Sequence, residues 1–192
     1  MLQQIVFNVT LYRILFKIDQ DLTGIARAAC CPYCGGPLHH AFYERKPRGG
    51  PDTLPSDFSK RMSLCCGHCR RRMLPPSSLF LGRKQHWGAI VLVVTMFGQK
   101  RTEGYTISRL MEMFCVSYPT LVRWRRYFQE EYAASSKWKE CRSRVGLRVR
   151  SDDLPGALVE YFVHVKADEQ EGLVACLCFL ACGRVSPKVQ AC

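Results

Sequence analysis

Acidic residues are scarce in this sequence: 16 Asp+Glu stand against 28 Lys+Arg, a formal charge of +12 over 192 residues. Such an excess favours a polyanionic partner, either nucleic acid or an anionic membrane surface, and says nothing about fold. Long apolar runs are missing too. The longest, residues 89–98, spans about ten residues where a membrane-spanning helix needs roughly 20, so it is expected to be a core helix and no membrane partner is expected. The N-terminal segment does not combine a basic stretch, a short apolar core and a small-residue cleavage site. The expected setting is therefore cytoplasmic and reducing, at the nucleoid if the partner is DNA. No internal repeat is visible. A composition of 47% hydrophobic and 23% charged residues excludes disorder across the whole chain and fits one ordinary domain or two small ones.

Cysteine, by contrast, is abundant, with twelve in the chain. In a reducing compartment the closely spaced ones read as thiolate metal ligands and the scattered ones as small buried hydrophobes. Two C-x-x-C knuckles carry the strongest chemistry: Cys31-Pro32-Tyr33-Cys34 followed by Gly35-Gly36, and Cys66-Gly67-His68-Cys69. Each tight turn can aim two thiolates at one cation while its backbone amides point at the sulfurs. Two such turns complete a closed tetrahedral site, for which one structural Zn2+ is the expected cofactor. A second cysteine precedes each knuckle, Cys30 and Cys65, so the choice within each pair is open; the expected set is Cys31, Cys34, Cys66 and Cys69, with His39, His40 and His68 as possible substitutes. A thioredoxin-like redox pair would want a βαβ pattern, which is absent. Between the knuckles, residues 48–56 hold two prolines and two glycines and read as a loop. Arg70, Arg71 and Arg72 follow the second knuckle, with Arg83 and Lys84 beyond, and read equally as a solvated face or as phosphate contacts.

Four segments are expected: an N-terminal amphipathic helix (1–28), a four-cysteine zinc ribbon (29–82), a helix-turn-helix (83–132), and a basic linker with C-terminal helices (133–192). In the first, Leu11, Tyr12, Leu15, Phe16, Ile18 and Leu22 recur at helical spacing, although the β-branched run at 5–9 equally allows a short strand. In the third, Trp87, Ile90, Val91, Val94 and Phe97 form one apolar face. A second helix fits 107–114 with Thr106 as N-cap, and a third fits 118–132 with Ser117 as N-cap. Ile107, Leu110, Met111 and Phe114 supply one inner face, Val116 plugs the turn, and Leu121, Trp124 and Phe128 supply the other. Tyr118, Pro119, Thr120, Val122 and Arg123 then lie on the outward, N-terminal side of a recognition helix, with Arg125 and Arg126 placed for phosphates. Cys115 stands where such turns commonly carry glycine, which implies positive φ there. An ordinary helical hairpin in an all-α core gives the same pattern. The fold class is therefore mainly α with a small β zinc ribbon: a three-helix core plus flanking helices.

With CPYCGGPLHH, SLCCGHCRRR, PPSSLFLGRK and FCVSYPTLVRWRRYF in view, the stretch 30–128 resembles the bacterial transposase-like proteins that join a zinc ribbon to a helix-turn-helix. That resemblance implies binding to double-stranded mobile-element DNA, with strand-transfer chemistry in a separate catalytic domain or partner. Asp152, Asp153, Glu160, Asp168, Glu169 and Glu171 follow in the sequence, but they read as helix caps and solvated faces, with 152–153 as a helix start. No residue is assigned a catalytic role. The expected function is DNA recognition, within a transposition system or as a transcriptional regulator, in a chain that dimerises on two-fold sites. An RNA-binding or protein-docking zinc module is the competing class.

Overall fold

The computed structural model describes residues 2–99, 107–147 and 149–184. The chain is mainly α-helical with a small antiparallel β region. Helices α1 (Leu2–Ile5) and α2 (Val9–Ala28) open it, so the β-branched run at 5–9 is a helix junction and not a strand. Local chemistry decides this: the Asn8 side chain accepts from the Thr10 N–H at 2.9 Å and caps α2. The junction is then held down by the Tyr12 hydroxyl, which donates to the Val6 carbonyl at 2.8 Å, and by Phe7, stacked on Phe114. Leu11, Tyr12, Leu15 and Ile18 turn inward, as their spacing requires.

Five short strands follow: β1 (Leu38–His40), β2 (Tyr43–Glu44), β3 (Lys60–Arg61), β4 (Leu64–Cys66) and β5 (Arg72–Met73). They form an antiparallel three-stranded sheet in the order β1-β4-β5 and a separate β2-β3 pair. Leu38 stands opposite Cys66, and Leu64 opposite Met73. The tract at 48–56, expected to be a loop between the knuckles, is pinned to the helical body. The Arg48 N–H donates to the Gln85 carbonyl at 2.8 Å, and the Trp87 N–H returns to Arg48. Gly50, at φ +88°, lies so close to Tyr12 and Trp87 that a Cβ there would fall 2.8 Å from the tyrosine oxygen.

Helix α3 (Gly88–Gln99) is the core helix expected at 89–98, and its burial goes beyond the one apolar face read from its spacing, since residues 88–96 are buried on every side. A helix apolar all round belongs at the centre of a bundle. It packs against α4 (Ile107–Met113), α5 (Tyr118–Arg126), α7 (Gly156–Val165) and α8 (Glu169–Cys182). Thr106, the expected cap of α4, lies outside the described residues. Leu110 and Phe114 are buried as anticipated, but Ile107, in the first turn, is 40% exposed and does not join the inner face. Val116 plugs the turn, Leu121 and Trp124 anchor α5, and a π-helical stretch, Tyr127–Tyr132, extends it with Phe128 inward.

The segment 133–150, expected to be a polar linker, folds into the body. Helix α6 (Ser136–Cys141) starts at Ser135, whose hydroxyl accepts from the Trp138 N–H. Trp138 is 1% exposed, beside Tyr132 and Phe179, and its indole N–H donates to Ser151 at 3.0 Å. Asp152 and Asp153 do not start a helix: they sit in a 3-10 turn, with Asp152 paired to Arg150, and α7 begins after Pro155. Asp168 caps α8 by accepting from the Glu171 N–H at 2.8 Å. One hydrophobic core of described residues runs from Val6 to Leu180 and includes Phe58, Leu79, Phe80 and Leu81 of the segment 29–82, so all four sequence segments contribute to it. Cys31, Leu38, Leu64 and Cys66 form a second, much smaller one.

Candidate metal centre and basic cleft

The choice between neighbouring cysteines follows from backbone geometry. After α2 ends, Cys30 adopts φ 58°, and this left-handed step leaves Cys30 exposed while Cys31 turns inward. Along β4, Leu64 is buried, Cys65 half-buried and Cys66 buried: side chains alternate between faces of a strand, so only one of two adjacent cysteines can face the knuckle opposite. The sulfurs of Cys31, Cys34, Cys66 and Cys69 lie within 4.8 Å of one another and could hold one metal ion. Cys31 and Cys69 are 3.6 Å apart, Cys34 and Cys66 3.5 Å. Four thiolates at ~2.3 Å from a common tetrahedral cation would be about 3.8 Å apart, close to this spacing.

Both knuckles are built alike. The Cys31 N–H donates to the Gly36 carbonyl and the Gly35 N–H to the Cys31 carbonyl; across the site, the Cys66 N–H donates to the Arg71 carbonyl and the Arg70 N–H to the Cys66 carbonyl. The residue after each second cysteine is left-handed, Gly35 at φ 68° and Arg70 at φ 59°. Gly36 faces the opposite knuckle, where a Cβ would fall 2.7 Å from His68 Nδ1 and 3.1 Å from Cys66 Sγ. Burial opposes ionisation of Cys66, but the N–H groups of Cys69 and His68 and the adjacent thiols outweigh it and pull the group below the ordinary thiol range. Cys69 moves the other way: the Arg71 N–H favours its thiolate, yet burial and three neighbouring thiols push it up. Four sulfurs gathered this closely could hold one metal ion. A metal held by all four would have no open position, an arrangement suited to holding a fold together.

The histidines stand outside this set. His39 pairs in register with Cys65, His40 lies 3.1 Å from Arg27 Nη1, and the His68 ring packs over Gly36. A buried polar knot ties the ribbon to the helices. The Asp19 carboxylate on α2 accepts from the Ser78 N–H at 2.6 Å, the Ser78 hydroxyl at 2.8 Å and the Ser77 hydroxyl. Burial raises its pKa, and these donors together with Arg61 oppose the rise.

The basic run at 70–72 is exposed. The Arg71 guanidinium lies 4.4 Å above the Tyr33 ring and that of Arg72 5.6 Å above Tyr43, so both cations are propped on aromatic faces of the ribbon. On α5, Tyr118, Pro119, Val122, Arg123 and Arg126 are exposed, while Thr120 and Arg125 are half-buried. Arg126 is paired with Glu130 at 2.8 Å. Arg123 folds back on its own helix, its Nε donating to the Pro119 carbonyl and its Nη2 to Thr120 Oγ1. Cys115 has φ 51°, the left-handed turn its position implied.

Beside α5 opens a cleft of about 520 Å³ whose wall includes Arg48, Arg83, Lys84, His86, Thr120 and Arg123. Lys84 Nζ sits 3.2 Å from the centre of the Tyr127 ring, and burial lowers its pKa to about 8 against the opposing pull of Glu131. Sequence reasoning singled out Arg83, Lys84 and Arg123 but missed Arg48 and His86, which reach the same cleft through the backbone bridge between residues 48 and 86. Among the described residues the acidic side chains form no metal cluster. No described helix is long and apolar enough to cross a membrane. Comparison with protein families, with curated proteins and with solved structures finds no match to this chain.

Proposed function

We propose that this chain binds duplex DNA and is stapled by one structural zinc ion. In this reading α4, its turn and α5 act as a helix-turn-helix, and Tyr118, Pro119, Thr120, Val122 and Arg123 meet base edges. The observation that carries it is the convergence of cations from distant segments on the N-terminal half of α5. Arg48 from the inter-knuckle insert, Arg83 and Lys84 from the stretch before α3, and Arg123 from α5 itself all line one cleft, in a chain of formal charge +12. The inward anchoring of Leu121, Trp124 and Phe128 leaves the opposite face of α5 exposed. Four thiolates with no fifth donor favour zinc over harder cations. The resemblance to transposase-like proteins makes the recognition component of a transposition system the preferred role, with catalysis in another polypeptide.

The test is fluorescence anisotropy of a labelled duplex across a salt series. Affinity is expected to fall linearly on a log–log plot, and Arg83→Gln to lower the magnitude of that slope by about 1, as for one lost phosphate contact. A salt-independent affinity, or single-stranded RNA outcompeting the duplex, refutes the reading.

A further inference from the structure

We propose that the cleft between residues 83–86 and α5 is a binding site for a single phosphate group. Three guanidinium groups, Arg48, Arg83 and Arg123, line it, and among the described residues none of them is in an ion pair with a carboxylate. Glu131 also lines it, and its charge is set against Lys84. Arg48 and Arg83 therefore remain for an incoming anion, their planar forks matching the oxygens of a phosphate, and Arg123, two of whose donors are spent on Pro119 and Thr120, adds its charge.

Two further observations point to a ligand. The first turn of α5 borders the cleft through Ser117 and Thr120, and the Ser117 hydroxyl pairs with Thr120 Oγ1 at 2.9 Å without capping a backbone N–H. The positive end of α5 and two hydroxyls thus face the same space. Independently, His86 lines the cleft at only 5% exposure, and its Nε2 is buried with no hydrogen-bond partner. A buried polar atom without a partner is rare in folded proteins and calls for one, such as an ordered water or ion. A phosphate answers the charge of the cleft: its anionic oxygens meet the arginines and hydroxyls, beside the buried His86 ring. The cleft exceeds the volume of that group, which leaves room for the ester carrying it.

The phosphate belongs either to the backbone of a duplex lying on α5, in which case the inference rests on the DNA-binding reading and moves Thr120 and Arg123 from base edges to that phosphate, or to a free phosphomonoester, in which case it does not. The probe is inorganic phosphate, titrated into the full-length metal-loaded protein while the histidine ring nitrogens are followed by ¹⁵N NMR. The expected result is a saturable shift of the His86 resonances that sodium chloride of equal ionic strength does not reproduce. Arg83→Gln and Arg123→Gln, both at exposed positions, should each weaken phosphate about tenfold with the backbone amide spectrum otherwise unchanged. Duplex added to the saturated sample separates the sources: displacement of phosphate assigns a backbone phosphate, and coexistence assigns a free monoester. A shift that never saturates, or unchanged affinity in both arginine variants, overturns the site. Duplex binding measured on the same samples keeps the failures apart, since duplex bound without phosphate saturation sinks only the site, and phosphate saturation without duplex binding sinks only the DNA reading.

Discussion

Replacing one cysteine of an adjacent pair should remove the metal, and replacing its neighbour should not. Cys66 is fully buried with its sulfur 3.5 Å from that of Cys34, whereas the Cys65 sulfur points away, toward the carbonyls of Cys66 and Arg70 at 3.8 and 3.5 Å. Structural zinc sites bind with apparent free energies of roughly 10–16 kcal/mol shared among four ligands, so one thiolate accounts for roughly 3 kcal/mol, or about a hundredfold in affinity. Cys66→Ser should therefore weaken zinc at least a hundredfold in competition with a chromophoric chelator. Cys65→Ser should leave both stoichiometry and affinity unchanged, since a half-exposed thiol far from the other sulfurs contributes within about 0.5 kcal/mol. Cys34→Ser and Cys30→Ser form the matching pair on the first knuckle. Equal loss of metal in Cys65→Ser and Cys66→Ser would defeat the argument from strand alternation.

Metal loss should also be local. The ribbon's own core holds only Leu38 and Leu64 beside two ligands, too little apolar surface to order the knuckles alone. The large core contains neither strand leucine nor any of the four clustered cysteines, and Phe58 of the insert stays stacked on Phe16 of α2 at 4.5 Å. Chelation should thus abolish amide protection at 31–40 and 64–73 while helical circular dichroism is kept.

Three further outcomes are expected. Trp138→Ala empties a site that is 1% exposed and unpairs the Ser151 contact, which should cost about 3–5 kcal/mol in denaturant unfolding; a loss under about 1 kcal/mol would return residues 133–150 to the status of a linker. Cys115→Gly should relieve about 1 kcal/mol of left-handed strain, partly offset by the freer unfolded glycine, so the melting temperature rises slightly; a clear fall would mean the thiol makes a contact worth more than the strain. Lys84 has its pKa lowered to about 8 from an ordinary 10.5 because burial disfavours its charge. The unfolded chain then holds the extra proton between those values, so stability gains as pH rises from 8 to 10.5, an increment that Lys84→Met should erase. Over the same rise the proposed DNA face loses a charge, and duplex affinity should fall more in the wild type than in Lys84→Met.

What was legible in the sequence was whatever is decided within a few residues. The two C-x-x-C turns are local, and so are the Asn8 cap, the Asp168 cap and the left-handed turn at Cys115. Burial of Trp138 was not legible, because it is decided by Phe179 and Ser151 in other elements, and polar neighbours such as Ser136, Lys137 and Lys139 masked the one large apolar side chain. Helix α3 looked one-sided for the same reason: its second face is covered by α7 and α8, more than fifty residues away in sequence. The cleft beside α5 is the extreme case. Its arginines come from positions 48, 83 and 123, and no motif around Arg48 announces a site. Gly49 and Gly50 explain the placement: a side chain at either would collide with Ile90, or with Tyr12 and Trp87, so the chain can lie flat on α3 and hydrogen-bond along 85–87. An insert that reads as slack between two metal knuckles is thereby the strap that delivers Arg48 to the face of α5. Changing Gly50 should consequently disturb the cleft while leaving the four sulfurs in place, which separates the two roles of the insert by a single substitution.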